Sequence, residues 1–398
     1  MSRIRYRLGI FLSVVLIVAG AVYIYFTHYA PLKPDADTEV TVWYVNNDRM
    51  WQGFAGLADS YNNGEGGKYG ITVKVKDFNS SAELYKELDK RIEEKGSLPD
   101  MVVCDTDYAA YMDEKGVLAE MSSYFGSWEA SAFSKEMAEA ASMNGTLVSL
   151  PVAAETNVFM VNTEVFSDIS AISNFEKLCS VADEYYSRNG SSFFTITDYS
   201  LFFRTAAAQL KDDFSAVSPH DTSNKNCKYI YKLLAETAYN RGFGVAGGEA
   251  TKMVGEGIIA CALIPSSEVM RCAYALDADS IEFAAYPCMK DGESAYVEKV
   301  TGITMTASDS NSERASAMFI RWFTSPEVNA PFVGDSGYIP ASGAAVDISD
   351  YDIYSELSAA IAERRNNSER YTFEASADYS VNSRDFDEIL NTIMDSLN

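Results

Sequence analysis

EVTVWYVNNDRMWQGFAGLADSYNNGEGGKYGITVKVKDFNSSAELYKELDKRIEEKGSLPDMVVC, residues Glu39 to Cys104, decides the fold. Its first seven residues, Glu39 to Val45, are rich in β-branched and aromatic side chains and predict a strand. Met50 to Tyr61 reads as a helix stopped by the NNGEGG turn. ITVKV (Ile71 to Val75) alternates apolar and polar residues, a second helix covers about Ala82 to Glu94 and ends at Gly96, and DMVVC (Asp100 to Cys104) is a short apolar strand. Three strands separated by helices of these lengths form parallel βαβ units, so the fold class is α/β.

Downstream the alternation continues. Asn144 to Asn162 predicts two strands around Pro151, where the chain can leave the first sheet. Asn174 to Arg188, Ser200 to Leu210 and Asn226 to Tyr239 are helical; Phe193 to Thr197, Ile258 to Ile264, Ile281 to Tyr286 and Lys299 to Thr306 are strands. The following helix, capped by Asn311 or Ser312, carries Ala315, Met318, Phe319, Trp322 and Phe323 on one stripe, which assigns Trp322 to the core. Tyr351 to Arg364 and Arg384 to Leu397 form two closing polar helices, with RRNNSER (Arg364 to Arg370) as a solvated turn.

Upstream, Arg3, Arg5 and Arg7 precede an apolar run from Leu8 to Phe26. Such a run rises ~28 Å as a helix and matches a bilayer core. With the arginines held inside, residues 1–30 read as a transmembrane anchor, residues 31–38 as a linker, and the body as extracytoplasmic. The run exceeds the ~7–15 apolar residues of a cleaved signal, so an uncleaved single-pass anchor is preferred.

The 398 residues carry a net charge of −25, and removing the three terminal arginines takes the remainder to −28. That excess repels phosphate backbones, so no nucleic-acid partner is expected. Two histidines, His28 and His220, cannot build a multi-histidine metal centre, and neither a metal nor a cofactor is expected. Six cysteines without a C-x-x-C spacing leave buried thiols and two or three disulfides both open.

Four ordered segments resemble the bacterial extracellular solute-binding family that supplies sugars to ABC importers, the maltose- and glycerol-phosphate-binding type. They are Leu98 to Phe125, Asn144 to Phe166, Gly248 to Met270 and, most specifically, ASAMFIRWFTSPEVNAPFVGDSGYIPASGAA (Ala315 to Ala345). The resemblance implies a two-lobed periplasmic-binding-protein-like fold of type II, with a hinge and an interlobe cleft. Mapped onto this chain, residues 39–152 plus 299–338 make lobe 1, and residues 155–298 plus 341–398 make lobe 2. It further implies a monomeric, non-enzymatic binder of a carbohydrate with ABC permease subunits as partners.

Ligands of open α/β sheets sit beyond the carboxyl ends of strands. That rule selects Asn46, Asp48 and Trp51 after the first strand, and Asp105 and Tyr108 after the third. The family resemblance adds Glu155 and Thr156 at the hinge and Tyr338 in SGYIP; Ser266 and Ser267, with Glu268, open a helix after an apolar strand and Pro265, and Gly302 in the returning strand would let a ligand approach the backbone closely. Amides, hydroxyls and carboxylates suit sugar hydroxyls, and aromatic faces suit sugar rings. Each polar residue has helix capping as its plain alternative. Arg204 could grip an anion or pair with an acid. Candidates that are otherwise neutral or acidic favour a neutral oligosaccharide over a glycerol phosphate. Two other readings stay open: a ligand-sensing subunit for a membrane kinase, and an anchored glycoside hydrolase using Asp105 and Glu155.

Overall fold

The computed structural model describes residues 37–47, 49–126, 132–212, 224–244, 249–334, 336–341, 352–381 and 384. The expected anchor, both histidines, Asp48 and the expected last helix after Arg384 lie outside the described residues. Among the described residues no helix is long and apolar enough to cross a membrane.

The opening stretch folds as its pattern dictates. β1 (Thr38–Val45) runs parallel to both β2 (Ile71–Phe78) and β3 (Met101–Asp105). The helices Phe54–Asn63 and Ser81–Glu94 make the crossovers, the second capped by the Ser80 side chain. A small hairpin of β4 (Ser142–Met143) and β5 (Thr146–Leu147) precedes β6 (Leu150–Glu155), β7 (Asn157–Asn162) and β8 (Phe194–Ile196). β9 (Cys261–Pro265), β10 (Ile281–Ala284), β11 (Ala295–Val297), β12 (Lys299–Met305), β13 (Ile339–Pro340) and β14 (Glu369–Tyr371) complete the strands. The first sheet has the order β13-β6-β12-β3-β1-β2 and the second β10-β7-β9-β8.

Period-two alternation distributes each sheet between two cores. In β1, Val40, Val42 and Tyr44 face one core and Trp43 the other; in β7, Phe159 and Val161 oppose Val158 and Met160. Trp322 packs on Tyr61 with ring centroids 5.0 Å apart, as its stripe predicts. The helix Ser310–Phe323 is capped by Asp309 rather than Asn311 or Ser312: its carboxylate accepts from the N–H groups of both.

The chain passes between sheets at Thr156, five residues later than Pro151 suggests, because Pro151 pairs with Gly302 inside the first sheet. A second passage lies at Glu298, between β11 and β12. The tail, expected to stay with lobe 2, returns to the first sheet's flank: Ala375 packs beside Trp43 and Val102, and its N–H donates to the Ser142 carbonyl at 2.9 Å. Arg364 departs from a solvated turn as well, donating to the carbonyls of Asn157 and Ala295 and stacking 4.3 Å from the Tyr286 ring. All six cysteines are free thiols, and five are buried.

Candidate functional site

The two sheets flank a cleft of about 1740 Å³ lined by residues from both, including Trp51, Tyr85, Asp105, Glu155, Asp198, Ser267, Glu268, Lys299 and Tyr338. Topology explains the convergence. Asp105 ends β3, Glu155 ends β6 and Lys299 begins the antiparallel β12 beside them. Asp198 approaches from the second lobe as the N-cap of the helix Tyr199–Leu210, its carboxylate accepting from the Leu201 N–H.

Lys299 is the hub of the floor. Its Nζ lies 2.9 Å from Asp198 Oδ2 and 3.8 Å from both Asp105 Oδ2 and Glu155 Oε1. Burial disfavours every charge here, and the ammonium compensates the three acids unequally. Burial lifts Glu155 to about 7 against the pull of Lys299, with Asp198 adding repulsion. Burial raises Asp105 too. Asp198 is held below the ordinary carboxylate range, since Lys299 and the Leu201 N–H outweigh its burial. Lys299 itself is raised, because the three carboxylates outweigh its desolvation.

The expected residues divide by placement. Trp51, Asp105, Glu155, Ser267 and Tyr338 line the cleft. Ser267 donates its hydroxyl to the Glu155 carboxylate. Asn46 does not line it; its amide turns to Asp77 Oδ2 at 3.5 Å, and neighbouring Asn47 takes the wall position. Tyr108 is fully buried behind Tyr85, the rings stacked 3.8 Å apart, and its hydroxyl donates to Asp89 at 2.9 Å. Tyr85 occupies the wall in its place and donates to Asp105 Oδ2 at 3.1 Å.

Thr156 and Ser266 stitch the hinge rather than face the cleft. The Thr156 hydroxyl donates to the Val297 carbonyl at 2.8 Å, and the Ser266 N–H to the Thr156 carbonyl at 2.8 Å. Gly302 admits a strand, not a ligand: a Cβ there would sit 2.4 Å from Ser149 Oγ. The glycine that SGYIP needs is Gly337, with φ of 82°, where a Cβ would sit 2.2 Å from the Ser266 carbonyl. Tyr44 and Phe202 are core residues, and Trp43 is covered by Lys76 and Arg91 at 4.1 and 4.7 Å.

Lys299, Asp198 and Tyr85 escaped the sequence reading. Asp198 carries only a cap signal, Tyr85 sits in an ordinary apolar stripe with Leu84 and Leu88, and Lys299 acquires its meaning from three partners distant in sequence. Arg204 is committed elsewhere, bonded bidentately to Asp107 at 2.9 and 3.0 Å.

The model of the bacterial extracellular solute-binding protein family matches residues 56–359. A maltotriose-binding protein of Pyrococcus abyssi is 23% identical over 325 residues, covering 76% of this chain and 66% of its own length. Among solved structures, the GacH receptor of Streptomyces glaucescens superposes with a TM-score of 0.69 at 14% identity, covering 91% of this chain and 94% of its own. The cyclic α-maltosyl-1,6-maltose binding protein of Arthrobacter globiformis gives 0.65 at 15%, covering 91% and 95%. At such identities these likenesses speak for the two-lobed fold.

Proposed function

Given that this chain belongs to the bacterial extracellular solute-binding protein family, we propose that it captures a neutral oligosaccharide between its lobes and delivers it to an ABC importer. The cleft carries this reading. Its 1740 Å³ exceeds the ~300–1,000 Å³ of a drug-sized site, leaving room for several sugar rings. Its floor offers fixed carboxylates and hydroxyls, which accept from and donate to sugar hydroxyls, with Tyr338 at the wall and Trp51 behind it, 4% exposed and packed in the core. The names of the archaeal relative and of the Arthrobacter structure point to gluco-oligosaccharides. The floor itself favours a neutral ligand, because its cation Lys299 is already shared by three acids.

The same geometry supports a reading of binding without turnover. Glycoside hydrolysis needs two carboxylates flanking the scissile bond with space between them. Here Lys299 stands within 3.8 Å of both Asp105 and Glu155. The apolar run Leu8 to Phe26 behind three arginines supports tethering to the cytoplasmic membrane with the body outside. The decisive measurement is thermal stabilisation over a panel of oligosaccharides with recovery of the sugar. A saturable rise with intact sugar fits capture; released product, or no rise with any sugar, sinks it. Stimulation of a reconstituted permease's ATPase, rather than of a membrane kinase, distinguishes importer from sensor.

A further inference from the structure

The second-lobe wall holds a pair of groups that the floor does not use. The helix Ser266–Arg271 places Glu268 and Arg271 three residues apart on one face, and both line the cleft. Glu268 is only 5% exposed. One of its carboxylate oxygens, Oε2, accepts from the Thr197 hydroxyl at 2.5 Å, while the other, Oε1, has no protein partner. Arg271 Nε is likewise buried without a protein partner. A buried polar group left unmatched costs roughly 1–3 kcal/mol, more when charged, and folded proteins keep few of them. Here an acceptor and a donor, three residues apart on one short helix, are both left without a protein hydrogen-bond partner, in two residues that line a cleft large enough for a ligand.

One chemical group answers both at once. A hydroxyl donates its hydrogen to a carboxylate and accepts an N–H on its lone pair; an ether, a methylene or an ammonium does one of these or neither. We infer that Glu268 and Arg271 form a specificity subsite that reads a single sugar hydroxyl, donated to Glu268 Oε1 and accepting from Arg271 Nε–H. The subsite rests on the carbohydrate reading and deepens it: the ligand carries a free hydroxyl at this wall. Position-specific deoxygenation or O-methylation there leaves two buried groups unpaired, and sites built to bond a hydroxyl discriminate strongly against analogues that lack it.

The test uses titration calorimetry on the whole chain with maltotriose, isomaltotriose, cellotriose, xylotriose and raffinose as probes. For the tightest-binding sugar, E268Q and R271M are each expected to lose tenfold or more in affinity. The double variant should bind within about threefold of the weaker single one, because both act through one hydroxyl and their effects do not add. Unliganded thermal midpoints accompany the titrations. E268Q removes a buried charge and should not lower the midpoint, and R271M, at a half-buried position, keeps the question open to measurement if E268Q unfolds. Retained affinity in R271M and in any folded E268Q overturns the subsite while leaving sugar capture standing. Fully additive losses overturn the shared hydroxyl. A wild-type chain silent toward every probe overturns the carbohydrate reading, and the subsite falls with it.

Discussion

Two charge clusters join the lobes, and they are built on opposite principles. Arg204 and Asp107 form a closed unit. Both side chains are about one-tenth exposed, the guanidinium bonds both carboxylate oxygens, the Ser376 N–H adds a third bond, and the Tyr379 ring covers the cation at 3.8 Å. Lys299 instead divides one positive charge among three acids at 2.9, 3.8 and 3.8 Å on the floor of an open cleft. A pair whose two carboxylate oxygens are both held by one guanidinium holds structure together, even with the Arg204 Nε–H left without a protein partner. A cluster with more carboxylate oxygens than donors retains acceptors for something that enters. The same residue types, arginine or lysine with aspartate, therefore serve cohesion in one place and recognition in the other, and saturation of the carboxylate separates the two roles.

The largest effect should come from breaking the closed unit. Asp107→Ala leaves a buried, uncompensated guanidinium, and the folded state should lose about 3–5 kcal/mol in urea unfolding. Replacing both partners together, Asp107→Leu with Arg204→Met, should recover most of that loss. If the single variant costs under ~1 kcal/mol, the pair is not the closed structural unit its geometry describes.

The open cluster should reveal itself through pH. Glu155 sits at about 7 against an ordinary 4.5, so between those values the folded chain binds the proton and the unfolded chain does not. Stability from this group therefore falls as pH rises from about 4.5 to about 7, by about 3 kcal/mol across the window. Glu155→Gln should flatten that part of the pH profile and leave the variant more stable than the parent at pH 8. A parent profile without the slope, or a variant that keeps it, would contradict a Glu155 whose burial outweighs the pull of Lys299.

The contrast also shows what a chain reveals before it folds. Strand alternation from Glu39 to Cys104 and the apolar stripe around Phe319 are local signals, and the structure reproduces them because each residue's neighbours in sequence are its neighbours in space. Asp105 is legible because strand ends in an α/β sheet point at clefts, and Glu155 and Tyr338 through the family resemblance of the hinge and SGYIP segments. Tyr108 misled for the same reason that Tyr85 was missed. One lies after a strand and is buried, the other lies in a helix and faces the cleft, and only the packing of that helix against β3 decides which ring is in front. Thr156, Ser266 and Gly302 carry the hinge's polar and steric signature, but backbone closeness consumes it. Lys299 was illegible because Asp105, Glu155 and Asp198 are brought to it from far along the chain. Whether Arg204 met a ligand or an acid depended on Asp107 in the other lobe, beyond any local pattern.

A smaller effect should appear at the wall, where Tyr338 is half-buried beside the floor. Tyr338→Ala removes a ring face worth roughly 0.5–1.5 kcal/mol in stacking, so affinity for the tightest oligosaccharide should fall up to about tenfold. Stability should change less than in Asp107→Ala. Unchanged affinity would remove Tyr338 from the contact surface.

A comparably modest effect is expected where the open cluster can redistribute its charge. Asp198→Asn removes Lys299's nearest acid, yet the amide oxygen can still cap the Leu201 N–H, and the ammonium keeps Asp105 and Glu155 within reach. The loss should be close to one charged hydrogen bond, about 1–2 kcal/mol, below that of Asp107→Ala. The titration should move as well. Asp198 repels the ionised form of Glu155, so its neutralisation should carry the Glu155 midpoint down from about 7 toward the ordinary carboxylate range. A carbon-13 carboxyl titration of Glu155 by NMR reads that shift directly. An upward shift, or a stability loss equal to that of Asp107→Ala, would mean that the floor is as rigidly paired as the Arg204 unit and that the distinction between the clusters fails.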